Sequence, residues 1–287
     1  MAFAHKYNLL DHPDGSRKVQ KNSIPKIGGL SVAVTFSFSV LLTSSAFSNI
    51  WDIKLVLSIV IPALLAGLVG FTDDIKNIEP WLRIGLQIVI GLIAFALGTR
   101  ITLFNYLFID VLLTVFWIVL LINAFNLLDN ADGLAGATLL LTTLFGTYIA
   151  FANGQKLVYI LGISILGIIL GFLIYNWTPA QIYLGDSGVY FLSTIIALLL
   201  IKIRPSSLDI SESILIILFL VLLPIIDLSY VVVKRISRGI HPFTAGRDHL
   251  SHNLLQKGFN TRNAVLLLLT IHMLISIVSI LIFNLNK

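Results

Sequence analysis

Long apolar runs separated by short polar stretches make up almost the whole chain. Nine of them, roughly 29–48, 53–71, 82–99, 108–127, 133–151, 156–175, 187–203, 213–233 and 263–285, each approach the ~20 apolar residues a spanning helix needs. The pattern predicts an all-α, polytopic membrane bundle of about nine transmembrane helices. No repeat, low-complexity stretch or linker interrupts it, so residues 1–287 read as a single integral membrane domain. Pro62 and Pro224 fall inside runs and are expected to kink their helices. His272, alone near a midplane, reads as a hydrogen-bonded packing residue.

Alternate connections fall on opposite sides of such a bundle. One side holds the N-terminal segment 1–28, the loops near 72–82, 128–133 and 176–187, and the loop 234–262. It carries thirteen of the 19 Lys and Arg residues, from Lys6, Arg17, Lys18, Lys21 and Lys26 to Lys257 and Arg262. That excess assigns it to the cytoplasm of a cytoplasmic (inner) membrane. An odd number of spans then puts the C-terminus outside.

Composition sharpens this picture. Only 11% of residues are charged against about 25% in soluble domains, while 57% are hydrophobic. The absence of cysteine excludes disulfides and thiolate metal sites. The N-terminal stretch has no apolar core, so no cleavable signal peptide is expected. Arg17, Lys18, Lys21 and Lys26 precede the first run and suit membrane-lipid headgroups; no nucleic-acid partner is expected.

The costly residues gather on the cytoplasmic side. "GFTDDIKN" ends the second run with adjacent Asp73 and Asp74, whose like charges suit a nearby Mg²⁺ or the removal of an acidic proton; a solvated helix end is the alternative. "NAFNLLDNADGLAGA" supplies Asn123, Asn126, Asp129 and Asp132, which a helical spacing of three lets converge. Asp129 or Asn130 could instead cap the next helix. In "YNWTPAQIYLGDSG", glycines flank Asp186 and allow close approach, and the helix that follows favours a phosphate at its N-terminus. An ordinary Asp or Ser cap remains open there. Asn176 and Tyr183 offer an amide and an aromatic face to a nucleobase. "HPFTAGRDHLSHNLLQKGF" gathers His241, His249, His252, Arg247 and Lys257, better suited to phosphate than to zinc. Asp227 lies near the same end.

Together, "DHPDGSRKVQKNSIPKIGG", "GFTDDIKN", "NAFNLLDNADGLAG", "YLGDSG" and "PFTAGRDHLSHNLLQKG" resemble the polyprenyl-phosphate N-acetylhexosamine-1-phosphate transferases. That membrane family includes the phospho-N-acetylmuramoyl-pentapeptide transferases. The "IPKIGG" and "GRDHLSH" forms are closer to the UDP-N-acetylglucosamine branch. The resemblance implies transfer of a sugar 1-phosphate, N-acetylglucosamine 1-phosphate as the leading choice, from a UDP-N-acetylhexosamine to a polyprenyl (undecaprenyl) phosphate. UMP is released, as the initiating step of a cell-envelope glycan. It implies Mg²⁺, with Mn²⁺ as a substitute, held by Asp186, and a homodimer among the possible assemblies. Asp73 and Asp74 would sit at the reacting phosphate, and Asn126, Asp129 and Asp132 in the nucleotide pocket. Tyr183 would stack on uracil, with Asn176 and Lys21 nearby, and His249 and His252 would contact phosphate. Two departures stand out. Relatives read DGxDG where this chain has Asp129-Asn130-Ala131-Asp132-Gly133, a turn Asn130 is expected to preserve by taking left-handed geometry. The usual His-x-His-His run appears as His249-Leu250-Ser251-His252. Relatives also carry a spanning helix ahead of the point where this chain begins. The rival readings are a transporter or flippase of a phosphorylated lipid or nucleotide, which needs a midplane site, and an inactive assembly partner.

Overall fold

The computed structural model describes residues 9–11, 23–203, 208–244 and 246–285. Arg17, Lys18 and Lys21 lie outside the described residues. Eleven α-helices follow a two-residue antiparallel pairing of β1 (Leu10–Asp11) with β2 (Ile24–Pro25). The helices are α1 (Gly28–Ala46), α2 (Ile53–Lys76), α3 (Pro80–Ala96), α4 (Leu107–Leu128), α5 (Leu134–Ala152) and α6 (Lys156–Asn176). They continue with α7 (Gly185–Lys202), α8 (Ile210–Leu220), α9 (Leu222–Ser237), α10 (Leu250–Gln256) and α11 (Thr261–Leu285).

All nine apolar runs are helical, but they are not nine equal spans. Among the described residues seven helices are long and apolar enough to cross a membrane, and α8 with α9 would make an eighth. α3 is the short member of the set: its 17 residues extend about 25 Å, at the lower limit for a ~30 Å hydrocarbon core. Run 213–233 is broken: α8 and α9 meet at an angle of 71°. Pro224 explains the break. It has no N–H for the carbonyl of Leu220, four residues back. That carbonyl instead accepts a hydrogen bond from Thr142 Oγ1 of α5 at 2.8 Å. His272 of α11 completes the patch, its Nε2 lying 3.1 Å from Thr142 Oγ1, and is the packing residue expected. Pro62, by contrast, sits within one continuous α2.

α7 is the axis of the bundle. Fifteen of its 18 residues are buried, which is what a helix apolar on every face requires. It packs on α1, α2, α4, α5 and α6. Trp117 of α4 donates its indole N–H to the carbonyl of Ala197 at 3.1 Å, and the Phe36 and Phe191 rings meet edge to face. Where α1 crosses α7 the backbones touch: a Cβ on Gly29 would stand 2.2 Å from the amide nitrogen of Gly188. The amides of Gly28 and Gly29 donate to the carbonyls of Tyr183 and Leu184, which sews the start of α1 to the loop before α7.

Helix direction alternates through the bundle. The starts of α1, α3, α5 and α7 and the ends of α2, α4 and α6 therefore share one end, and that end holds the polar motifs.

Gly29→Ala should destabilise the protein by about 1–3 kcal/mol, the usual cost of overpacking, because backbone cannot yield as a side chain would. Gly171→Ala on α6, whose Cβ would meet nothing within 4 Å, serves as the control and should be neutral or stabilising by up to about 1 kcal/mol. Thermal unfolding in detergent compares the two; equal melting temperatures would refute the close crossing.

Candidate active site

The adjacent carboxylates of α2 have different surroundings. Asp73 is buried and fully engaged: it accepts from the amide of Ile78 at 2.8 Å, from Arg83 Nη1 at 2.9 Å and from the Tyr190 hydroxyl at 3.2 Å. Asp73 thus ties together the ends of α2, α3 and α7. Asp74 points the other way and accepts the amides of Asp186 and Ser187 at 3.1 and 3.0 Å. The N-terminus of α7 is thus closed by a protein carboxylate, which corrects the expectation of a free phosphate-binding helix end. The polarity is right, since helix N-termini favour negative charge.

Asp186 follows in the first turn of α7, and its Oδ1 accepts a hydrogen bond from Asn126 Nδ2 at 3.0 Å. Asn126 therefore belongs with the aspartates. Asn123, one turn deeper, does not: its amide donates to Gln87 Oε1 at 2.6 Å and to the carbonyl of Val119 at 2.8 Å, joining α4 to α3. The convergence expected of all four residues holds for three.

Asp129 is the residue that ends α4, and the first residue of α5 is preceded by Gly133 with φ +77° and no side-chain cap. Capping by Asp129 or Asn130 is therefore not what these residues do. Asn130 is also not left-handed; among the described residues only Asn77 and Asn105 have positive φ without being glycine. Gly133 alone makes the turn. Asp132 Oδ2 accepts the Ala180 amide at 2.9 Å, anchoring the α6–α7 loop. Asn176 is buried, with its Oδ1 accepting from Gly133 N at 3.2 Å and its Nδ2 donating to the Ile182 carbonyl at 2.9 Å. Both ends of that amide hold loops together.

Carboxylates crowd one another at this end. Asp129 is exposed on one side, yet desolvation by the protein around it, followed by the charges of Asp74 and Asp132, pushes its pKa up to about 7. Burial raises the Tyr183 phenol as well, with Asp132, Asp11 and Asp129 adding to it, so its hydroxyl stays protonated. Lys26, ion-paired with Asp11 at 3.3 Å, is the cation whose field favours ionised Asp129. The sequence does not single out Arg83, Tyr190 and Gln87, whose partners Asp73, Asp73 and Asn123 lie 10, 117 and 36 residues away.

The histidine loop closes one side. His249 is buried, with Nδ1 2.9 Å from Asp227 Oδ2, while the Leu250 amide donates to Asp227 Oδ1 at 2.8 Å. A carboxylate on Nδ1 fixes the ring and leaves Nε2 as the working nitrogen. The His252 ring lies 5.4 Å away, its Nδ1 buried without a partner. Burial, then the charges of His249 and Arg247, hold its pKa down to about 4 in the absence of ligand. Arg247 is exposed just ahead of His249. His241 packs against Trp81 and Phe243 instead, so the three histidines do not form one cluster.

Among the described residues no three His, Asp or Glu side chains make a ready-made metal cage. Mg²⁺ does not need one, since it takes one or two carboxylates and completes its shell with water and substrate phosphate. Asp186, oriented by Asn126 and close to other aspartates, fits that pattern.

Residues 56–204 match the family described as Glycosyl transferase family 4. A probable undecaprenyl-phosphate N-acetylglucosaminyl 1-phosphate transferase of Bacillus subtilis is 28% identical, over 97% of this chain and 78% of that protein. A phospho-N-acetylmuramoyl-pentapeptide-transferase of Streptococcus thermophilus is 29% identical over 67% of this chain, and one of Streptococcus pneumoniae 32% over 65%. The chain spans 63% and 61% of those two proteins.

The raised pKa of Asp129 is open to direct observation in the metal-free protein. A group with pKa about 7 is mostly protonated at pH 6 and ionised at pH 8. The infrared carbonyl band of a neutral carboxyl should fade across that interval and lose intensity in Asp129→Asn. A band that fades near pH 4 instead would remove the crowding argument.

Proposed function

The chain belongs to glycosyl transferase family 4, and we propose that it transfers an N-acetylhexosamine 1-phosphate, N-acetylglucosamine 1-phosphate first among them, from a UDP-sugar to undecaprenyl phosphate with release of UMP. The names of its relatives support the acceptor and the group transferred. The observation that carries the reading is the meeting of Asp74, Asn126, Asp129, Asp132 and Asp186 at one end of a membrane bundle, with His249 and His252 alongside. A polyprenyl phosphate keeps its head at the membrane surface while a UDP-sugar arrives from water, so their reaction belongs at such an end.

Asp186 would hold Mg²⁺, and Mn²⁺ in its place; the ion supplies charge neutralisation at the sugar-nucleotide diphosphate. The remaining roles fall to the chain itself. Asn126 fixes the direction of the Asp186 carboxylate. Asp74 holds the first turn of α7 in place. Asp129, with a pKa near that of a phosphate monoester, can accept the proton of the lipid phosphate at its carboxylate. Tyr183 presents its ring to the base, and His249 Nε2 and Arg247 meet phosphate oxygens. Most of the rate then comes from positioning and charge. The site faces the cytoplasm of the inner membrane in this reading.

Purified protein with Mg²⁺, undecaprenyl phosphate and a panel of UDP-sugars should release UMP and form a diphosphate-linked lipid, and Asp186→Asn should lower turnover about a hundredfold without loss of folding. Release of UDP would place the protein in another reaction class. Near-normal turnover of Asp186→Asn would leave Asp186 a helix-end residue only.

Sidedness has its own test. A reporter inserted near Gly246 should read cytoplasmic, and one fused after Lys287 extracytoplasmic. An external reading near Gly246 would put the site on the wrong face for a UDP-sugar.

A further inference from the structure

The helix that carries the histidines is too short to place itself. α10 has seven residues, well under the length at which an isolated helix is stable, so contacts with its neighbours decide where His249 and His252 stand. Leu250 and Leu254 pack against the buried cluster that contains Leu128, Leu134, Leu223 and Val265, which gives adhesion but no direction. Polar ties supply the direction. Asp227 holds the start of α10 to α9, and Asn253 is tied to α9 as well, accepting from Lys234 Nζ at 3.1 Å and donating to the Tyr230 hydroxyl at 2.9 Å.

The third tie goes elsewhere. Ser251, buried in the first turn of α10, donates its hydroxyl to Asn130 Oδ1 in the loop between α4 and α5. Asn130 is itself aimed, since its Nδ2 donates to the Leu127 carbonyl at 2.7 Å. The bond therefore joins the loop bearing Asp129 and Asp132 directly to the helix bearing His249 and His252. Asn130 does not adopt left-handed geometry, so the backbone gives no reason for asparagine there. Its side chain does. These are also the two positions at which the chain departs from the pattern its motifs otherwise resemble, and the structure puts them in contact.

We propose that Asn130 and Ser251 are a matched pair of positioning residues, a latch that sets the distance between the aspartate loop and the histidine helix. This rests on the proposed function for its catalytic readout, but the latch itself can be measured without substrate. Each partner is buried or half-buried, so removing either one strands the other's polar group, and removing both strands neither.

The test is a double-mutant cycle on the full-length protein with Asn130→Ala, Ser251→Ala, the double variant and Ser251→Thr. Each single alanine should lower kcat about tenfold with KM for the UDP-sugar within about twofold, as for a lost positioning contact. The double should be no slower than the worse single, and Ser251→Thr, which keeps the hydroxyl, should stay within about threefold of the parent. In parallel, hydrogen exchange of the 250–256 amides should rise in each single alanine variant and rise no further in the double. Losses that multiply in the double, or exchange at 250–256 that is unchanged in both singles, would overturn the latch. If the parent protein releases no UMP, the proposed function fails while the exchange cycle still decides the latch. A Ser251→Ala protein that does not fold leaves Ser251→Thr and Asn130→Ala to decide: exchange must stay low in the first and rise in the second.

Discussion

The contact on which the rest depends is a carboxylate laid on a helix end. The first amides of α7 have no partner in their own helix and carry the positive end of its dipole, and Asp74 of α2 satisfies two of them. The contact demands closeness that ordinary residues would forbid. A Cβ on Gly70 would lie 2.3 Å from the Asp186 carbonyl, and one on Gly185, where φ is +71°, 2.8 Å from Asp74 itself. Once α2 and α7 meet this closely, Asp186 stands where Asn126 of α4 reaches it. One electrostatic bond thus brings three helices and the central carboxylate into register.

That arrangement sorts the acidic residues by what neutralises them. Asp73 has a guanidinium, a phenol and an amide, and Asp227 has His249. Asp74 has helix amides. Asp129 and Asp186 have weaker help, mainly the field of Lys26 and one asparagine amide. In the proposed reading these two face cations and phosphate, so that their compensation comes from outside the chain.

Much of this was legible in sequence. The apolar runs gave the helices, because spanning length and lack of charge are local properties. The polar motifs meet at one end of the bundle for a related reason: charge is too costly among apolar helices to be scattered. What could not be read were pairings across long separations. Nothing local distinguishes Asp73 from Asp74, turns Asn123 toward Gln87, or reveals that Asn176 spends both ends of its amide on loops 133 and 182. The break at Val221 was half legible, since Pro224 signals a lost hydrogen bond but not the Thr142 hydroxyl that replaces it. Tyr183 lies in the field of Asp132, Asp11 and Asp129, and His249 on Asp227, pairings equally remote in sequence.

The central place of α7 also has a consequence for the order of synthesis. The helices against which it packs most, α2, α4 and α1, precede it in the chain, while α8 to α11 follow. Its mean hydropathy, 1.4, is the lowest among the seven candidate spans, against 2.8 for α6 and α11. A segment so weakly apolar is a poor candidate for insertion into lipid by itself. It leaves the ribosome after the walls of its slot are complete, and can pass from the translocation machinery into protein rather than lipid. Moving α7 earlier in the chain by circular permutation would present the same helix to a membrane that holds no slot to receive it.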